Sequence, residues 1–365
     1  MGRDMNDQTI SKETTMAAAM REQIPDSLPD RIEDVEMLEE LLSRPDATTR
    51  RDLSELDGDV MVLGVSGKVG PTLARMAARA LPERRVIGVA RFSDPETRGQ
   101  LDAWGVETIQ CDLMDRAELE KLPQVKNIVF MAGHKFGSSG NQGLTWAMNT
   151  YLPGLVAETF TAARISAFST GCVYPFVPLE QIGADERMPP DPPGEYAQSC
   201  VGRERMFEHF SKRHGAPGRL IRLNYAIDMR YGVLCDIADT IYAGKPVDLR
   251  TGHVNVIWQG DANRFALRAL AHATVPTSPL NVSGPETLPV RWLAEELGRR
   301  LGREVAFVGE PGPTAWLNNS AEAFRLFGYP EVPLARLLDW VADWTLREMP
   351  NLGRPTKFEL RDGRY

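Results

Sequence analysis

The 365-residue chain predicts an α/β fold, a doubly wound parallel sheet followed by a smaller, mostly helical C-terminal substrate domain. Three observations carry this. Short apolar runs alternate with helical stretches between residues 59 and 223; the first run leads straight into a glycine-rich turn; and beyond Asn224 helical patterning takes over with only sparse strands. Apolar strands alternating with helices imply a parallel sheet covered on both faces. Such sheets bind ligands at the carboxyl ends of their strands.

Residues 1–58 read as an N-terminal extension. The first 26 are polar and poor in aromatic and β-branched residues, hence flexible. DRIEDVEMLEELLS then places Ile32, Val35, Leu38, Leu41 and Leu42 at helical spacing, ended by Arg44-Pro45. That stripe packs either on the main body or on a second subunit. Strands are expected at 60–65, 85–90, 106–111, 127–132, 165–169 and 219–224, with a long helix over 145–164 and another over 193–214. The substrate domain spans 224–350, and 351–365 reads as a tail.

Composition narrows the classes. A net charge of −8 argues against a general nucleic-acid binder. No apolar run reaches the length of a membrane span, and the first residues lack a signal-peptide core. Four cysteines without paired spacing suit a reducing cytoplasm, and five scattered histidines form no ligand cluster, so no metal is expected.

The turn GVSGKVG (Gly64, Ser66, Gly67, Lys68, Val69, Gly70) lies between a strand and a helix, the Rossmann-type setting. Glycines there let backbone amides approach a dinucleotide's pyrophosphate at a helix N-terminus. At the end of the second strand, where an acid would hold the ribose, stand Ala90 and Arg91. Arg91 favours NADP over NAD, or else is only a solvated charge. Asp112, with Leu113, is placed to meet the adenine edge.

The order of these features resembles the extended short-chain dehydrogenase/reductase family, the NAD(P)-dependent sugar-nucleotide epimerase/dehydratase type, over residues 59–346. FMAG (Met131, Ala132, Gly133), Asn149 in AMNTYLPG, FSTGCVYP at 168–175 and Tyr196 in GEYAQSC carry the likeness, as do GDANRFALRAL and LNVSGPETLPVRWLAEELG further on. The resemblance implies that Tyr196 exchanges a proton with the substrate oxygen while hydride moves to or from nicotinamide, and that Thr170 hydrogen-bonds the substrate carbonyl. Cys172 falls where some GDP-sugar epimerases carry an acid/base cysteine; it is otherwise a small buried hydrophobe. Asn224, Tyr225 and Arg230 open the region that usually holds substrate.

One departure matters. The family's lysine four residues after the tyrosine is Cys200 here. A thiol cannot replace an ammonium that holds the nicotinamide ribose and lowers the tyrosine pKa. Arg203, on the same helical face, or Lys135, in the loop with His134 after the fourth strand, is the candidate replacement. The expectation is therefore an enzyme, an NADP-preferring epimerase, dehydratase or reductase acting on a sugar or sugar nucleotide through a keto species, working as a homodimer. Two alternatives stay open: a catalytically impaired cofactor-binding sensor or scaffold, and an NADP-dependent reductase of a non-sugar carbonyl.

Overall fold

The computed structural model describes residues 28–363 apart from 136, 138 and 139, so the stretch expected to be flexible lies outside the described residues. From Arg31 onward the chain forms one compact unit. Its centre is a seven-stranded sheet: β1 Val60–Leu63, β2 Val86–Ala90, β3 Glu107–Gln110, β4 Asn127–Phe130, β5 Arg164–Thr170, β6 Gly218–Leu223 and β7 Ser278–Val282. All neighbours pair parallel, in the order β7-β6-β5-β4-β1-β2-β3. The order reverses between β1 and β4, which opens a crevice at their carboxyl ends.

Two-residue alternation explains the double cover. Val60 and Val62 face one apolar cluster, and Met61 and Leu63 face the other. On the first face lie α3 (Gly70–Ala80) and α10 (Gln259–Arg268), and α7 (Leu152–Thr159) and α8 (Glu195–His214) cover the second. The central strands β1 (VMVL) and β2 (VIGVA), buried on both faces, are apolar throughout, whereas the edge strand β3 (ETIQ) is polar and partly exposed.

The extension is a helical hairpin, not a single helix. Helix α1 (Val35–Leu42) starts at Asp34, whose carboxylate accepts the Met37 amide at 2.8 Å. Helix α2 (Ala47–Ser54) starts the same way at Asp46, with the Thr49 amide donating at 2.5 Å. The hairpin packs on the main body. Glu40 accepts from Arg79 of α3 at 2.8 Å, and buried Asp52 pairs with Arg268 of α10 at 2.7 Å.

The long helix expected over 145–164 is broken. Helix α6 (Gln142–Trp146) runs into a wide π turn, Ala147–Tyr151, before α7 begins. Pro153 is the cause: it has no amide to donate to the Asn149 carbonyl, so the regular ladder fails there. The wide turn sets the buried Asn149 against the strand ends.

Beyond β6 come α9 (Val233–Tyr242), α10, α11 (Val290–Leu301), α12 (Ala321–Phe327) and α13 (Leu334–Leu346). Helices α9, α11 and α13 pack on one another, whereas β7 returns to the sheet edge. Residues 351–363, expected as a tail, run across the molecule in contact. Leu352 donates its amide to the Arg230 carbonyl at 3.0 Å, Phe358 is buried, and Arg361 donates to Thr314 Oγ1 at 2.6 Å. No helix among the described residues is long and apolar enough to cross a membrane.

Candidate active site

Strand β1 delivers the chain to the glycine-rich turn. Gly64 has φ +86°, and a Cβ on it would lie 2.6 Å from the Ala132 nitrogen, so only glycine fits. At Gly70 a Cβ would strike the Val65 carbonyl, because α3 packs hard against the strand end. Gly67 differs: it is exposed, and a Cβ there would meet only the Gly64 oxygen at 3.5 Å. The fold does not require glycine at 67. A ligand approaching the backbone there would favour it. No side chain caps the N-terminus of α3, where the Gly70 amide donates to the Gly67 carbonyl at 3.1 Å and Pro71 has no amide, so an anion there would meet mainly the turn backbone and the positive end of the helix. These residues fit a dinucleotide's diphosphate.

The other expected cofactor positions surround this turn. The Met131 amide donates to the Leu63 carbonyl at 2.8 Å and brings Ala132 and Gly133 beside Gly64. Arg91 is exposed just past β2. Asp112 is exposed past β3, its carboxylate accepting the Met114 amide at 3.0 Å, and Leu113 is buried. Asn149 is a hub. Its Oδ1 accepts the His134 amide at 2.8 Å and Arg203 Nη2 at 2.7 Å, while its Nδ2 donates to the His134 carbonyl at 2.9 Å and Ser199 Oγ at 3.0 Å.

A cavity of about 180 Å³ opens at the carboxyl end of β5, lined by Lys68, Lys135, Thr170, Cys172, Tyr196 and Tyr225 among others. Asn224 also faces it, and its Nδ2 donates to the Trp316 carbonyl at 3.2 Å. Tyr196 and Thr170, separate in sequence, are thus brought together. His134 and Arg230 are not part of this lining. The His134 ring is 3.2 Å from Thr145 Oγ1, and Arg230 pairs with Asp228 at 2.9 Å and with Glu39 of α1 at 3.0 Å.

Helix α8 carries Tyr196, Cys200 and Arg203. Cys200 is fully buried against Val173, Val177, Ala184, Ala315 and Leu317. Burial pushes the Tyr196 pKa well above 10. Negative charge on Cys200 or Cys172 and a hydrogen bond donated to the Cys200 sulfur push the same way, against the opposing pull of Arg203. Arg203 lies beneath the cavity, donating to the Phe168 carbonyl at 2.7 Å as well as to Asn149. Lys135 reaches the cavity itself, its Nζ 5.8 Å from the centre of the Tyr196 ring. Burial lowers its pKa, while Cys172, Cys200 and Asp236 act to raise it.

Sequence reasoning missed several parts of this site. Tyr231 lines the cavity from the loop before α9, and Thr356 from the C-terminal segment, where no motif marks it. Under the floor, buried Glu204 accepts from Ser169 Oγ at 2.6 Å and from Arg222 Nη2 at 2.6 Å, and Arg222 also donates to the Tyr174 hydroxyl at 2.6 Å. Burial alone would lower the Arg222 pKa, yet Glu204 holds it raised. A polar pair beside an apolar strand could have signalled that network; its partners could not be read.

Fold, turn and crevice define a Rossmann-type dinucleotide-binding protein. Residues 60–230 match the family model of the NAD dependent epimerase/dehydratase family. Solved structures agree on the fold. UDP-glucuronic acid 4-epimerase from Bacillus cereus, in complex with UDP-glucuronic acid and NAD, superposes with a TM-score of 0.65 at 17% identity, covering 80% of this chain and 99% of that one. For DesIV, the dTDP-glucose 4,6-dehydratase of Streptomyces venezuelae with NAD and TYD bound, the values are 0.67, 21%, 80% and 97%. UDP-glucose 4-epimerase of Thermus thermophilus, complexed with NAD, gives 0.64, 18%, 78% and 98%. No curated protein matches the chain.

Proposed function

We propose that this protein is an NAD(P)-dependent oxidoreductase of the epimerase/dehydratase type, acting on a sugar or sugar derivative through a keto species. The observation that carries this is the meeting of Tyr196, Thr170 and Lys135 in one cavity bordered by Val69 of the glycine-rich turn. A bound nicotinamide supplies or takes up hydride. The chain's own residues handle the proton and the oxygen. Thr170 Oγ1 faces the cavity as donor to the substrate oxygen, and Tyr196, protonated at neutral pH because burial raises its pKa, gives that oxygen its proton. In the reverse direction the tyrosine must ionise, and a nearby positive charge favours that.

Lys135 is the better candidate for the displaced cation. It faces the cavity beside the Tyr196 ring, whereas Arg203 sits behind Tyr196 and is committed to Phe168 and Asn149. Arg91 supports NADP as the preferred cofactor, although the similar structures named above hold NAD.

Side-by-side calorimetric titration with NADPH and NADH tests the cofactor half. Saturable binding of either sustains the reading, and binding of neither ends it. The Tyr196→Phe variant tests the chemistry. Loss of about 10²- to 10⁴-fold in turnover is expected, the range of a general acid/base. An unchanged rate would favour the cofactor-binding sensor or scaffold. That second reading draws on one observation, the hydrogen bond that commits Tyr196 to Cys200.

A further inference from the structure

The Tyr196 cavity has an uneven charge inventory. Its lining includes two lysines, Lys68 and Lys135, and among the described residues no carboxylate and no histidine. Two ammonium groups facing one small cavity is a costly arrangement unless a ligand compensates it. The nearest acids are engaged elsewhere. Asp228 accepts from Arg230 at 2.9 Å, and Asp236 accepts the Thr356 amide at 2.8 Å.

Lys68 is the informative one. It belongs to the glycine-rich turn, yet its Nζ lies 3.6 Å from the centre of the Tyr231 ring, on the wall built by the loop before α9. Among the described residues no carboxylate pairs with it. Burial lowers its pKa to about 8, with Asp228 and Cys235 acting to raise it and Lys135 and Arg230 to lower it further. An ammonium resting on a ring face is a weak commitment that an oxyanion readily outcompetes. A dinucleotide's diphosphate would lie against the backbone of the turn and the N-terminal end of α3, and so would not need Lys68.

We infer that the cavity selects an anionic substrate, and that Lys68 grips its carboxylate or phosphate group while Lys135 attends Tyr196. The inference rests on the oxidoreductase reading above and names its substrate class. A neutral sugar of the same shape would leave Lys68 on Tyr231 and gain nothing from it.

Pyridoxal 5′-phosphate probes the site without turnover. The amine of a lysine adds to its aldehyde, water leaves, and borohydride reduces the resulting imine; peptide mass spectrometry then locates the label. Pyridoxal, which lacks the phosphate, is the control. With the full-length protein at pH about 8, Lys68 holds the phosphate and Lys135 is the cavity amine left to meet the aldehyde, so the phosphate form should label Lys135 about tenfold faster than pyridoxal does, the factor one charge-assisted hydrogen bond is worth. D-glucuronate should suppress the labelling and D-glucose should not. Equal labelling by the two aldehydes, equal protection by the two sugars, or phosphate-selective modification of Lys68 itself would each overturn the assignment. Saturating NADPH separates the sources of the anion. Labelling that persists keeps the anion with the substrate, and labelling that vanishes gives Lys68 to the cofactor. A protein that binds neither NADPH nor NADH but still shows phosphate-selective labelling keeps the anion site and loses the oxidoreductase reading. Lys68→Gln removes the anion grip and should bring labelling of Lys135 by the phosphate form down to the rate seen with pyridoxal; selectivity that survives in this variant would overturn the assignment.

Discussion

The glycine-rich turn and helix α8 meet at one cavity but are built on different principles. At the turn, Gly64 and Gly70 are imposed by backbone contacts, whereas the space over Gly67 is open and would admit a ligand close to the backbone. On α8, under the reading proposed above, the chemistry is not tied to one position: Cys200 is buried in an apolar cluster, and Lys135 on another element would bring positive charge near Tyr196. Backbone-borne function is fixed in sequence; charge-borne function can migrate, because a charge acts over several ångströms and can arrive from any neighbouring element.

The strongest way to break this contrast lies at the turn. Gly64→Val should cost more than about 3 kcal/mol, through positive φ and collision with Ala132, while Gly67→Ala leaves stability within about 0.5 kcal/mol but weakens the dinucleotide at least about tenfold. Urea melts beside NAD(P)H titrations separate the two. Equal effects at both positions would erase the distinction between fold-imposed and ligand-imposed glycine.

On α8, Cys200→Lys restores the family's residue. If the charge has truly moved, the new ammonium is buried among Val173, Ala184 and Leu317, stability falls by about 3 kcal/mol, and turnover does not rise. Gain of activity at unchanged melting temperature would show that the vacancy had been real.

The two candidate cations should separate as well. Arg203→Met abandons the Phe168 carbonyl and Asn149, and should lower stability by about 2 kcal/mol. Lys135→Met should leave the melting temperature nearly unchanged but cut kcat about tenfold, with a changed basic limb of the pH–rate profile. The smallest effect belongs to Arg91→Ala. NADPH affinity should fall about five- to tenfold and NADH affinity stay put, since an exposed arginine contributes through one phosphate contact.

Much of the architecture was legible because it repeats. Apolar runs and the turn located β1 to β6, and the helical spacing of Val35, Leu38, Leu41 and Leu42 marked α1. What escaped did so for identifiable reasons. Helix α2, ATTRRDLS, is polar and short, held by Asp46 and by the tie of Asp52 to Arg268 rather than by periodicity. Strand β7, SPLNV, carries a proline and is admitted at a sheet edge where one ladder side is free. The break at Asn149 needed Pro153 to be weighed against a convincing helical pattern. In the site, Tyr196, Thr170 and Lys135 could be nominated from motifs, but the company they keep, Tyr231 and Thr356 above all, depends on chain crossings that no local pattern encodes.

The crossing of residues 351–363 bears on how the molecule comes into being. A chain emerges from the ribosome amino end first, and the glycine-rich turn, with the strands that support it, is complete long before Thr356 appears. A nascent chain could therefore hold its dinucleotide while one wall of the substrate chamber is still unmade. Nucleotide capture would precede competence for chemistry, and the cofactor would serve as a template around which the later segments settle.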